Sequence, residues 1–137
     1  MNDQKIEQEI QAKGLNAPRV TPDAIEAEIA SEHFFTAGDA AFPDDAIASS
    51  DFAAYSALGL LTFCILRLRN GFTVTGESAC ASPENFDAEI GRKIARQNAV
   101  AKIWPLLGFR LRDQLARPVL TEADAAADLA GTPRPSA

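Results

Sequence analysis

In the run Thr75-Gly76-Glu77-Ser78-Ala79-Cys80 a carboxylate, a hydroxyl and a thiol stand close together, a grouping that could set a nucleophile beside a base. A hydroxyl or thiol attacks usefully only when a positioned base takes its proton. The single histidine, His33, lies far upstream in a stretch that reads as a helix, so no Ser-His-acid or Cys-His set is legible and no catalytic residue is assigned. Cys80 precedes a helix start, where the dipole favours a thiolate, but Glu84 and Asp87 oppose that effect. Cys64, set among leucines, reads as a small buried apolar residue. His33 with Glu32 is an incomplete metal set, and Gly71, Gly76, Gly91 and Gly108 are too scattered to cradle a phosphate. No metal and no cofactor is expected.

Arg92 and Arg96 stand one helical turn apart and could grip a phosphate with two guanidinium forks. Together with Asn98 and Glu77 they form the candidate surface for a ligand or partner. The charge distribution supplies a competing use. Residues 1–51 hold 11 acids and 3 bases, 52–118 hold 5 acids and 9 bases, and 119–137 hold 3 acids and 1 base, within a net charge of -6. A basic centre beside an acidic N-terminal part suits packing of one against the other. The acidic total and the scarcity of aromatics near these arginines make nucleic acid an unexpected partner.

The elements that must position these residues are a hairpin and a helix. Asn70-Gly71 separates two runs rich in β-branched and aromatic residues, the pattern of a two-residue type I′ turn, with an apolar helix over 58–69 capped by Gly71 as the alternative. Counting outward pairs Arg67 with Val74, Ile65 with Gly76 and Phe63 with Ser78 on one face, and Leu66 with Thr75 and Cys64 with Glu77 on the other. Ser82-Pro83-Glu84 then gives an N-cap, a first-turn proline and an acid complementing the dipole, so a long helix is predicted from there. Phe86, Ile90, Ile94, Gln97, Ala101 and Trp104 follow helical spacing as its core stripe, and Pro105 should stop or kink it. A second stripe, Ala88, Gly91, Ala95 and Ala99, is uniformly small. Gly91 costs roughly 1 kcal/mol against alanine inside a helix, which is tolerable if another backbone comes close, either a strand or a second copy of the helix. Leu107, Leu111 and Leu115 mark a short final helix.

The fold class is therefore α+β: an antiparallel hairpin (about 61–69 and 72–79) packed on a long helix (about 83–104), with N-terminal helices and a short C-terminal helix. Ile6 and Ile10, followed by Gly14, mark a first helix over 2–13. Thr21-Pro22-Asp23 starts a second, whose buried side is Ile25, Ile29 and Phe34. Residues 1–20 read as a helix and linker, 21–118 as one domain with a mobile loop over 36–51, and 119–137 as a disordered tail with at most one frayed turn. The longest apolar run, Leu58 to Leu68, is far short of the ~20 residues of a membrane span. The first 20 residues resemble neither a secretory nor a transit signal, and two cysteines are too few for a disulfide scaffold. A cytoplasmic protein is expected, and the two faces of the hairpin with the small-residue stripe point to a homo-oligomer.

The block Asn70 to Trp104, with the preceding Leu61-Thr62-Phe63-Cys64 and the upstream Arg19-Val20-Thr21-Pro22 and Ser31-Glu32-His33-Phe34-Phe35-Thr36-Ala37, resembles the small phage proteins grouped as the gene-product 49 / gene-product 66 family. The resemblance spans roughly residues 14–116. Phe34 and Phe109 stand where tyrosine is expected, and Arg67 where an apolar residue is commoner. The resemblance implies phage or prophage origin and expression in a bacterial cytoplasm, and carries over no catalytic residue. The expected function is that of a non-enzymatic phage accessory protein binding a host protein or small ligand, in host takeover or counter-defence. Two alternatives stand beside it: a nucleotide sequestrant or small enzyme using the basic helix face, and a purely structural oligomer.

Overall fold

The computed structural model describes residues 2–44, 50–117 and 121–135. In chain order the elements are α1 (Asp3–Ala12), α2 (Pro22–Glu28), β1 (Ile29–Thr36), α3 (Ala37–Ala41), α4 (Phe52–Leu58), β2 (Leu61–Leu68), β3 (Thr73–Ala79), a 3-10 turn (Pro83–Asn85), α5 (Ala88–Ala116) and α6 (Glu122–Ala130). The strands form one antiparallel sheet in the order β1-β2-β3. The architecture is α+β, as the residue patterns predict. The chain divides into two compact units, residues 28–103 and residues 1–27 with 104–137.

In the first unit the hairpin forms where expected but one residue out of the predicted register. Arg67 pairs with Thr73, Leu66 with Val74, Ile65 with Thr75, Cys64 with Gly76 and Phe63 with Glu77. The Gly71 amide donates to the Leu68 carbonyl (2.9 Å) and the Leu68 amide to the Phe72 carbonyl (2.8 Å), enclosing three loop residues instead of two. Only Gly71 takes a positive φ (88°) in this loop. Asn70 instead accepts the Phe72 amide on Oδ1 (2.9 Å), an arrangement that suits a three-residue loop closed by a glycine bulge. A one-residue slip exchanges the faces of a strand. Here it sets Val74 and Gly76 beside Cys64 and Leu66, all buried, and leaves Thr73, Thr75 and Glu77 exposed. Burial of the apolar residues of both strands on one side outweighs the preference for the shorter turn.

Residues 29–36, predicted as the continuation of a helix, form β1 along the other edge of β2. The helix start is where the sequence puts it: Thr21 Oγ1 accepts the Ala24 amide (3.0 Å). From Ile29 onward the chain supplies Ser-Glu-His-Phe-Phe-Thr, and the open edge of β2 offers a full row of backbone partners. Tertiary pairing ends α2 at Glu28 and takes the residues after it into the sheet. Thr36 then caps α3 through the Asp39 amide (3.1 Å). Of the loop expected over 36–51, residues 45–49 lie outside the described residues.

The long helix also departs from expectation at both ends. Ser82-Pro83-Glu84 produces only the 3-10 turn, with Ser82 Oγ bonded to Glu84 Oε2 (2.7 Å). The cap of α5 is Asp87, whose Oδ1 accepts the Ile90 amide (3.0 Å). At the other end α5 continues through Pro105 to Ala116. Pro105 cannot bond the Ala101 carbonyl and its ring crowds that group, a cost of about 3 kcal/mol inside a helix, but both residues are exposed, so water can reach the freed acceptor.

The buried stripe of α5 is the small one. Gly91, Ala95 and Ala99 are buried, and Ile103 continues their spacing at 0% exposure, while Ala88 is exposed. The predicted core stripe is overturned: Ile90 and Ile94 are 56% and 43% exposed, and Gln97 and Ala101 are exposed as well. The cause is Gly76 on β3. A Cβ built there would overlap the Ala95 carbonyl and the Ala99 amide nitrogen, so strand and helix backbones meet with no side chain between them. Gly91 faces the same sheet, its Cβ direction pointing at Thr62 Oγ1 (3.0 Å). Large isoleucines cannot occupy so narrow a gap.

In the second unit α1 is capped by Asn2, whose Oδ1 accepts the Lys5 amide (3.1 Å). Glu7 is held by the forked guanidinium of Arg19, with Nη2 to Oε2 at 2.6 Å, Nη1 on Oε1, and Gln11 Nε2 on Oε2 (2.8 Å). These bonds hold the Glu7 carboxyl below its ordinary range against the opposing effect of desolvation. Where a frayed turn is expected at the C-terminus, α6 runs for nine residues. Thr121 caps it through the Asp124 amide, and Gly131 ends it in the left-handed region (φ 70°). Both signals were present in the sequence, Thr-Glu-Ala-Asp at the start and glycine at the end.

Gly76→Ala should lower unfolding free energy by about 3 kcal/mol, because only backbone lies in the path of the new methyl. Gly91→Ala should stay within about 1 kcal/mol of wild type, since helix propensity offsets the crowding of Thr62; denaturant midpoints measure both. The Arg19–Glu7 bonds stabilise α1 at all pH values above the ordinary carboxylate range, and that contribution is lost as pH falls through the lowered folded-state value. Acid titration of α1 amide exchange should show the loss, and Glu7→Gln should abolish its pH dependence.

Candidate functional site

The sheet has two faces with different occupants. Thr62, Cys64, Leu66 and Leu68 of β2 and Val74 and Gly76 of β3 form the buried inner face, against α5. Ser31, His33 and Phe35 of β1 share the outer face with Phe63, Ile65 and Arg67 of β2 and with Thr73, Thr75 and Glu77 of β3, as their pairing requires. On this face Phe35 and Phe63 stack at 5.5 Å between ring centroids, with 17° between planes.

This division separates the residues from which a nucleophilic site might be assembled. Cys64 lies on the inner face at 0% exposure, where desolvation first, and the Glu32 carboxylate second, raise its thiol above the ordinary range. His33 lies on the outer face, its Nε2 3.1 Å from Ser31 Oγ, which also accepts Arg67 Nε at 3.1 Å. Glu77 is exposed on the outer face and Ser78 turns inward, opposite Thr62. The Cys80 thiol donates to the Ser82 carbonyl (3.1 Å). Among the described residues no three His, Cys, Asp or Glu side chains gather as a metal site.

The four residues expected to form a ligand or partner surface are brought into one region but given separate tasks. Arg96 Nε donates to Glu32 Oε2 (2.8 Å), tying α5 to the edge of β1. Asn98 Nδ2 donates to the Glu77 backbone carbonyl (2.7 Å), so the bond to Glu77 uses its main chain and leaves its carboxylate aside. Glu77 points its peptide groups to the free edge of β3, because the paired amides and carbonyls of the hairpin belong to the even-numbered residues (Leu68 with Phe72, Leu60 with Cys80). Asn98 thus occupies an acceptor that another strand would need. Arg92 is exposed, next to Lys93, which pairs with Glu89 at 3.3 Å. The expectation that the basic helix pairs with the acidic N-terminal part is met at Arg96 and Glu32.

The small stripe packs against the chain's own sheet at Gly91, Ala95 and Ala99. Outward on α5 stand Ile90 and Ile94, one turn apart, with Lys93 on their flank, a surface that the spacing alone assigns to the core. Glu32 was likewise missed as a tether, because a residue read as helical could not be assigned to a sheet edge. Periodicity signals both isoleucines but carries no information on which of two apolar stripes the sheet will cover.

No helix among the described residues is long and apolar enough to cross a membrane. Comparison with known proteins gives one match: the model of the phage protein (N4 Gp49/phage Sf6 gene 66) family fits residues 20–115. No curated protein and no solved structure matches the chain.

The separation of the two thiols is checkable. A thiol reagent applied to the native protein should modify Cys80 and spare Cys64 until denaturant is added. Equal rates for both would contradict the inner-face placement of Cys64.

Proposed function

Since the chain belongs to the phage protein (N4 Gp49/phage Sf6 gene 66) family, we propose that it is a non-enzymatic phage accessory protein that binds a host protein in the bacterial cytoplasm, in host takeover or counter-defence. The observation that carries this reading is the outward stripe of α5. A helix with two apolar stripes has spent the small one on its own sheet, leaving Ile90 and Ile94 at 56% and 43% exposure. Large apolar residues one turn apart on an exposed helix match the anchor spacing by which a helix lays into a partner's groove. Because each isoleucine is already about half buried, covering the rest in a partner is worth roughly 1 kcal/mol apiece.

The separation of His33, Cys64 and Ser78 supports a binding role over a hydrolytic one. The bonds of Arg96 to Glu32 and of Asn98 to the Glu77 carbonyl weaken the nucleotide reading, because two of the groups it uses already hold α5 to the sheet.

The test compares the tagged chain with its Ile94→Asp variant, shown by circular dichroism to be folded, in capture from infected-host lysate. A host protein recovered with the wild type and lost with the variant supports the proposal, and equal recovery with both refutes it. Light scattering of the same two samples addresses the structural-oligomer alternative: a dimer that Ile94→Asp converts to a monomer would assign the stripe to a second copy of the chain. A thermal-shift panel addresses the nucleotide alternative, since a ligand at 100 times its Kd should add about 2.7 kcal/mol of stability. No shift is expected.

A further inference from the structure

The unit made of residues 1–27 and 104–137 contains a cleft of about 430 Å³, within the size range of small-ligand sites. Leu107, Leu111 and Leu115, spaced one turn apart on α5, line it together with Val20. The other wall is Gly131 to Arg134, the segment that follows α6.

That wall is attached in an unusual way. Of residues 131–135 only Arg134 is buried, at 6% exposure, while Gly131, Thr132, Pro133 and Pro135 are exposed. No apolar side chain of the segment is therefore sunk into the protein. Arg134 instead forks onto Asp128, Nε to Oδ1 and Nη2 to Oδ2 both at 2.7 Å, and its Nη1 donates to the Arg117 carbonyl at the end of α5. Asp124, wholly buried, adds a second negative charge that favours the guanidinium. The Thr132 amide closes the end of α6 on the Ala127 carbonyl (2.9 Å), a bond local to the helix end. The Arg134 side chain thus ties the exposed segment to α5. Such a planar fork cannot be reproduced by a point charge.

We propose that residues 131–135 are a strap along the leucine-lined cleft, fastened by Arg134, and that unfastening it opens the cleft to apolar ligands. The proposal uses none of the residues of the host-partner stripe, so either can fail without the other.

The experiment uses the full chain, its Arg134→Ala and Arg134→Lys variants, and the amphiphilic dye 8-anilinonaphthalene-1-sulfonate, whose aromatic rings report apolar surface, as probe. Amide exchange of residues 131–134 reports the strap, dye fluorescence reports the cleft, and near-ultraviolet circular dichroism of Trp104 and Tyr55 reports intact packing. With packing unchanged, Arg134→Ala should lose amide protection in the strap and raise dye fluorescence severalfold, with Arg134→Lys intermediate. Adding Leu111→Asp to Arg134→Ala should return fluorescence to the wild-type level. Unchanged protection in Arg134→Ala would overturn the role of the fastener, and lost protection without a rise in dye binding would overturn the cleft. If Arg134→Ala does not fold, the same two readouts on Arg134→Lys decide the matter: a rise in both supports the strap, and wild-type values in either refute it.

Discussion

The contact between the backbone of β3 at Gly76 and the backbone of α5 at Ala95 and Ala99 governs the arrangement of the unit formed by residues 28–103. A helix normally stands off a sheet by the length of its side chains. Here the glycine and the two alanines remove that spacing, and the faces of both elements are then determined. The helix must turn its small stripe inward, the hairpin must take the register that puts Gly76 on the inner face, and the isoleucines must point away. Arg96 and Asn98 come to the sheet as a consequence of this docking, where Glu32 and the Glu77 carbonyl receive them. The apolar surface available to a partner is a by-product of the same constraint.

The charged residues serve two purposes that their number alone does not distinguish. Glu89 and Lys93, each 71% exposed, form a pair of the kind worth only a few tenths of a kcal/mol. Arg19 with Glu7, and Arg134 with Asp128, are different in kind, since each is a forked, charge-assisted contact joining chain segments that have little apolar area of their own to bury. In the unit containing the termini these forks stand where a larger core would supply side-chain packing. Polar fasteners of this type can be undone locally without unfolding the rest.

Much of the fold was readable from local signals. The cap at Thr21, the stop at Gly14, the strands flanking Asn70-Gly71 and the family block all report interactions a few residues long, which sequence contains in full. The site was less legible. Arg92, Arg96, Asn98 and Glu77 were identifiable as a group, but their assignments were not, because the acceptors of Arg96 and Asn98 lie on strands distant in sequence, one of them read as a helix. The α6 helix shows the opposite failure: its cap and its terminal glycine were local signals, and composition was allowed to outweigh them.

What the sequence by itself determined is the hairpin and the long helix that follows it, the α+β class, the presence of two apolar stripes on one helix and membership of a phage protein family. Only the tertiary structure decided the hairpin register, the strand character of residues 29–36, the passage of α5 through Pro105 and which stripe is buried. The physical reason is common to all four. Each is a choice between local alternatives of similar energy, a two- or a three-residue turn, a helix or a strand, one helix face or another, and burial against a distant segment tips the balance by more than the local difference.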